Sequence, residues 1–224
     1  MKQLFHDDWT NKRVSKIVNI FGKNWFYGKN ILELGACHGD VGIQFLKLGA
    51  NVHFTDARAW NLSILSDNLK SYSLTPNTSI VNQENEYHLG DYDLVIHMAT
   101  LCHISNWRQD LRSAVNHAKT IILETSVMPV EGIHEREYSP YNHNYGPFTT
   151  DMMKEFTEDA VEDELRSLGC QFLKITDSEL NSYGWSGTNV MYHNVYDWTY
   201  ENVKKSTSFE IFSHRRMWLV IKDS

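Results

Sequence analysis

The period of the apolar positions changes along this chain, and each change marks a boundary between elements. From 8 to 21, Trp9, Val14, Ile17, Val18, Ile20 and Phe21 recur at helical spacing, which predicts a helix ahead of the first strand. A short apolar run predicts that strand at 30–34, and Val41, Phe45, Leu46 and Leu48 share one face of a helix over 40–48. Val52 and Phe54 give a second strand over 51–55, which ends at Asp56. Leu62, Leu65 and Leu69 place a helix over 59–71; Pro76 then punctuates the chain, and 79–81 predicts a third strand. Residues 92–98 are mostly apolar, as in a central strand buried on both faces. A helix over 107–117 and a strand over 120–124 continue the alternation. Alternation of this kind predicts an α/β protein with a doubly wound sheet and right-handed crossovers.

Beyond 125 the pattern loosens. Residues 126–150 read as a long loop rich in Tyr, His, Asn and Pro, followed by a helix over 151–168 with Gly169 as its cap. A strand over 172–176, an aromatic and glycine loop over 181–189, a short helix over 197–205 and a strand over 209–221 complete the chain. With no internal repeat or linker, residues 1–224 are expected to form a single domain, with a helical preface over 1–28 and candidate substrate loops over 126–150 and 178–206.

Charge narrows the partners. The formal net charge is −7 and no basic face is evident, which argues against nucleic acid; Lys204, Lys205, Arg215 and Arg216 supply at most a small basic patch. No run of about 18 apolar residues predicts a membrane span, and the first eight residues lack the apolar core of a signal peptide. Three cysteines without paired spacing, Cys37, Cys102 and Cys170, fit a reducing cytoplasm. The eleven histidines are scattered, and no metal site is expected.

The chemistry begins at Glu33-Leu34-Gly35-Ala36-Cys37-His38-Gly39-Asp40, where an acid and a glycine turn join the first strand to the following helix. This geometry brings backbone close to a nucleotide-like ligand. The dinucleotide fingerprint would need glycines at 37 and 40, where Cys37 and Asp40 stand. The spacing, with Glu33, Gly35 and Gly39 in place and Cys37 at the middle glycine, resembles motif I of the class I methyltransferases that use S-adenosylmethionine (SAM). That resemblance implies a three-layer Rossmann-like sheet of order 3-2-1-4-5-7-6 with strand seven antiparallel. It implies SAM as cofactor and S-adenosylhomocysteine (SAH) as product. Glu33, Gly35, Ala36, His38 and Gly39 then meet the cofactor's amino-acid end. Asp56, closing strand two, accepts both ribose hydroxyls, because a carboxylate offers two oxygens to two adjacent donors. Ala57, Arg58 and Asn61 line the adenosine, and Glu84 with Asn85 stands near the adenine amino group.

After strand four, His97-Met98-Ala99-Thr100-Leu101-Cys102-His103 resembles the motif IV region of the same class, the loop that faces the methyl group. His103 is the first candidate for a base or substrate-orienting residue, since histidine titrates near neutrality; His97 is a second, and His97 and Met98 also border the cofactor. Cys102 is no cytosine-C5 nucleophile of the usual kind, because Leu101 rather than proline precedes it.

From Asp93 to Leu168 the order of segments is similar to the carboxymethyl-transferring tRNA wobble-uridine methyltransferases, in which a Tyr/Asn loop helps hold substrate or the cofactor's carboxylate. The comparable stretch here contains Tyr138, Tyr141, Asn142, Asn144 and Tyr145. Tyr141 and Tyr145, with Trp185 and Asn189 of the later loop, are the candidate substrate residues. The expected activity is methyl transfer to a small molecule or an exposed group, in the cytoplasm, with a homodimer left open. The alternatives are a tRNA-modifying methyltransferase and a non-catalytic SAM-binding module.

Overall fold

A computed structural model describes residues 7–138, 153–185, 191–205 and 212–223. Tyr141, Asn142, Asn144, Tyr145 and Asn189 lie outside these residues, so the expectations placed on them do too.

The amphipathic segment before the first strand is helix α1 (Asp7–Phe21). Strands β1 (Asn30–Leu34), β2 (Asn51–Asp56), β3 (Thr78–Ile80), β4 (Leu94–Met98) and β5 (Thr120–Ser126) alternate with helices α2 (Gly42–Lys47), α3 (Ala59–Ser71) and α4 (Trp107–His117). All four pairings from β3 through β2, β1 and β4 to β5 are parallel. The sheet is mostly apolar on both faces, as parallel strands covered by helices must be. Ile31, Val52, Phe54, Ile96 and Ile122 pack toward α1, α2 and α3; Leu32, Leu34, Val95, Leu123 and Trp218 pack toward α4 and the later helix α5 (Glu158–Ser167).

The last strand, β11 (Phe212–Lys222), runs antiparallel to β5 from Arg215 to Ile221. Beyond it, β8 (Cys170–Ile175) pairs antiparallel with residues 217–222. With β8 as strand six and β11 as strand seven, this is the expected order 3-2-1-4-5-7-6.

The irregular second half holds more β-structure than its composition predicts. Glu135–Tyr138 (β6) pairs antiparallel with Met153–Phe156 (β7), within the stretch read as a loop and the start of a helix. Helix α5 starts at Glu158 because the Thr157 side chain accepts the Ala160 N–H as its cap, and Phe156 faces inward against Trp107. The aromatic loop is also partly a hairpin: Ser182–Trp185 (β9) pairs with Met191–Val195 (β10), and β10 runs parallel to residues 212–214 of β11. A short helix, α6 (Tyr200–Lys205), follows. Because β11 is antiparallel to β5, this hairpin extends the sheet beside the C-terminal end of β5. In a doubly wound sheet, ligands bind outside the C-terminal strand ends where the order reverses, here between β1 and β4.

Candidate active site

The turn after β1 is built from residues that only a crowded, curved backbone requires. Gly35 has φ 64°, and a Cβ there would lie 2.5 Å from Oγ1 of Thr100 on the loop after β4. Cys37 takes the left-handed conformation (φ 50°) without being glycine, a strain that persists only where the surroundings impose it. Ala36 N–H donates to the Thr55 carbonyl at 2.7 Å and Cys37 N–H to Oδ2 of Asp56 at 3.0 Å, so the turn is tied to the end of β2. Gly39 also has positive φ.

Glu33 lies inside this arrangement rather than on its rim. It is buried, its Oε2 accepts the Gly42 N–H at 3.1 Å, and burial pushes its carboxyl up to about 8. Through that bond it ties the end of β1 to the start of α2.

Asp56 is buried at the C-terminal end of β2 and reaches three donors: Cys37 N–H, Arg58 N–H at 2.9 Å and Arg58 Nε–H at 3.3 Å. The Arg58 guanidinium also lies 5.6 Å from the Trp60 ring, which meets His38 edge-on at 5.9 Å. These contacts bring the turn and the first residues of α3 together. Burial lowers His38, keeping its ring neutral near pH 7, and its Nε2 is buried without a partner among the described residues. Both amide atoms of Asn61 are likewise buried and unpaired. Buried polar atoms without partners are uncommon, and an adenosyl ligand supplies both donors and acceptors. Ala57 is exposed beside Asp56.

The two predicted histidines part company. His97 faces α4, fully buried, with Nε2 2.5 Å from Oδ2 of Asp110. Asp110 also accepts from Gln83 at 3.0 Å and from the Tyr87 hydroxyl at 3.0 Å. His97 thus belongs to a polar cluster joining β4, α4 and the segment after β3; in register it stands opposite Leu34, and its Nδ1 is buried without a partner among the described residues. Met98, buried at the end of β4, precedes a loop at the ligand edge, and there Ala99 has φ 56°. His103 ends a single 3-10 turn, Leu101–His103, on that loop. Burial alone would lower His103, but the adjacent Cys102 raises it; Cys102, which burial would push up, is brought down by His103 to about 6, aided by Ser126 and Arg215.

Glu84 takes a different position from the one expected. Its two carboxylate oxygens accept Ser105 N–H (2.8 Å) and Asn106 N–H (3.0 Å), tying the segment after β3 to the start of α4. Asn85 is exposed beside it. Trp185 falls on β9, paired with Met191.

The sequence reading missed a buried charge network at the end of β5. Glu124 is wholly buried and accepts Arg215 Nε–H at 2.5 Å, Arg215 Nη2–H at 3.0 Å, Ala99 N–H at 3.1 Å and the Tyr196 hydroxyl. Arg13 of α1 donates to that same Tyr196 hydroxyl, to Ser182 Oγ at 3.0 Å, and to the carbonyls of Trp9 (3.1 Å) and Leu180 (3.3 Å). Its Nη2 is 3.9 Å from Glu124. Burial would raise Glu124, yet Arg215 holds it below the usual carboxylate range. No cluster of His, Cys, Asp and Glu among the described residues could hold a metal ion, and none of their helices is long and apolar enough to cross a membrane.

A family profile described as a methyltransferase domain matches residues 6–175. No curated protein matches the sequence significantly. Solved structures share the fold at low identity. The N-terminal domain of EvdMO1 with SAH bound is 16% identical with a TM-score of 0.64, over 99% of this chain and 83% of that one. A SAM-dependent methyltransferase from Clostridium acetobutylicum is 15% identical, TM-score 0.61, over 97% and 92%. The magnesium protoporphyrin IX methyltransferase of Synechocystis with bound SAM is 13% identical, TM-score 0.58, over 96% and 80%. With a family profile over well more than half its length and the matching sheet order, the chain belongs to the methyltransferase family, and its fold is that of the SAM-dependent class.

Proposed function

We propose that the protein transfers the methyl group of SAM to a small-molecule acceptor. One observation carries the reading: the strained turn from Gly35 to Gly39 is fastened to the Asp56 carboxylate at the sheet edge where the strand order reverses. The turn's backbone amides are the candidates to hold the amino-acid end of the cofactor, and Asp56 its ribose hydroxyls. His38 and Asn61 bring the buried, unpartnered polar atoms that a nucleoside satisfies. SAM supplies a methyl on a sulfonium, so transfer is downhill and the protein's main task is alignment. Thr100, packed over Gly35, fixes the loop that bears His103 against the turn. His103, on that loop, is the candidate to orient the acceptor or to take a proton from it.

The small-molecule acceptor has two supports. The net charge is −7, and one neighbour was solved with D-fucose present while another is a magnesium protoporphyrin IX methyltransferase. The test is transfer of labelled methyl from SAM to a panel of small acceptors by wild type and by His103→Ala. The reading requires label transfer by wild type, with turnover lost and SAH affinity kept in the variant. Bound SAH with no transfer to any small acceptor, and transfer to tRNA instead, would contradict it.

A further inference from the structure

Resting on that reading, the donors around Arg215 carry it further, to the chemical class of the acceptor. Glu124 takes Arg215 side-on, through Nε and one N–H of Nη2. A guanidinium has five N–H groups in a rigid fork, so this leaves one N–H of Nη2 and both of Nη1. Nη1 has no hydrogen-bond partner among the described residues, in a residue only 8% exposed. The remaining Nη1 and Nη2 N–H groups form the end-on fork, which matches the two oxygens of a carboxylate.

The position is right for an acceptor. Arg215 sits opposite Ser126 at the C-terminal end of β5, and Glu124 Oε2, which holds its Nη2, also accepts the N–H of Ala99 on the loop that leads to His103. The charge is right as well. Arg13 and Arg215 face a single buried carboxylate, Glu124; Cys102 and His103 also act on Arg215 through charge but with opposite sign, and the groups that Arg13 bonds are neutral: the Tyr196 and Ser182 hydroxyls and two carbonyls. One positive charge is left over, and a buried excess charge favours a counter-ion.

We propose that the acceptor is a small organic acid, anchored by its carboxylate end-on to Arg215 while Glu124 holds the guanidinium in place. A monoanion balances the cluster, which favours a carboxylate over a phosphate dianion.

The test uses acetate and acetamide as minimal probes, small enough to enter without matching the rest of the site. Guanidinium signals of arginine-15N-labelled protein are followed by NMR, with and without SAH, and Arg215 is assigned by the Arg215→Lys variant. The proposal expects acetate to shift, in a saturable millimolar titration, a signal that the variant lacks, and acetamide to leave it in place. It expects Arg215→Lys, which keeps the ion pair with Glu124 but loses the fork, to raise KM for carboxylic-acid acceptors at least tenfold over their amides. No acetate shift at the Arg215 signal, or an equal shift with acetamide, overturns it; where Arg215→Lys does not fold, the Arg215 signal is assigned in wild type by its through-space contacts with assigned neighbouring residues, and the same outcomes decide. A saturable acetate shift in a protein that does not bind SAH would support the anion site and contradict the methyl-transfer reading instead.

Discussion

The Glu33 carboxylate accepts the Gly42 N–H at 3.1 Å from beneath the cofactor turn, so close that a Gly42 side chain would collide with it. This acid of the motif is buried, and its burial has a consequence for pH.

Glu33 binds its proton more tightly folded (about 8) than unfolded (4.5). Its contribution to stability is therefore complete below about 4.5 and is lost as pH rises toward 8. Glu33→Gln keeps an oxygen for Gly42 and removes the titration. Urea unfolding should show the variant gaining on wild type from pH 5 to pH 8, by on the order of 3 kcal/mol. A difference independent of pH would contradict the buried position.

Gly35→Val places a branched side chain at positive φ and against Thr100. We expect loss of SAH binding and destabilisation of about 2–4 kcal/mol. Gly35→Ala should recover partly when combined with Thr100→Gly, which empties the contested space but leaves the backbone strain. Equal Tm values for the single and double variants would mean that Thr100 does not set the spacing.

Asp56→Asn keeps an oxygen for the Cys37 N–H while removing the charge. Calorimetry should show SAH affinity weakened by about 1–3 kcal/mol, the range for a lost charge-assisted hydrogen bond. Unchanged affinity would remove Asp56 from the ribose.

The cluster of His97, Asp110, Gln83 and Tyr87 is expected to act on stability alone. Asp110→Ala leaves the buried His97 and Gln83 without their acceptor, which should cost about 3–5 kcal/mol. SAH affinity of the folded variant should match wild type. A large drop in affinity at unchanged Tm would return His97 to the binding site.

The first half of the fold was legible because its elements are local: α1, β1, β2, α3 and α4 each follow an apolar period over consecutive residues. Past β5 the periods mislead. Residues 151–168 carry apolar positions at helical spacing, but those at 153–156 pair with β6 before Thr157 caps the helix. The β9–β10 hairpin forms because β11 outruns β8 and leaves residues 212–214 to pair, a tertiary cause that no single segment displays. The site divides the same way. The positive-φ turn at Gly35 and Gly39 and the place of Asp56 at the end of β2 were readable from glycine spacing and strand end. Arg13, Glu124, Tyr196 and Arg215 come from four distant segments, and each alone is an ordinary residue of its element. The partners of Glu84 and His97 were not readable, because a strand-end position says nothing about which backbone amide or buried acid a side chain will find.

The most direct measurement is calorimetric titration of the wild-type protein with SAM, SAH and NAD. Micromolar binding of both adenosyl ligands, with no heat from NAD, is the predicted result. Binding of NAD, or of neither adenosyl ligand, would contradict the assignment of the Gly35 turn and Asp56 to SAM.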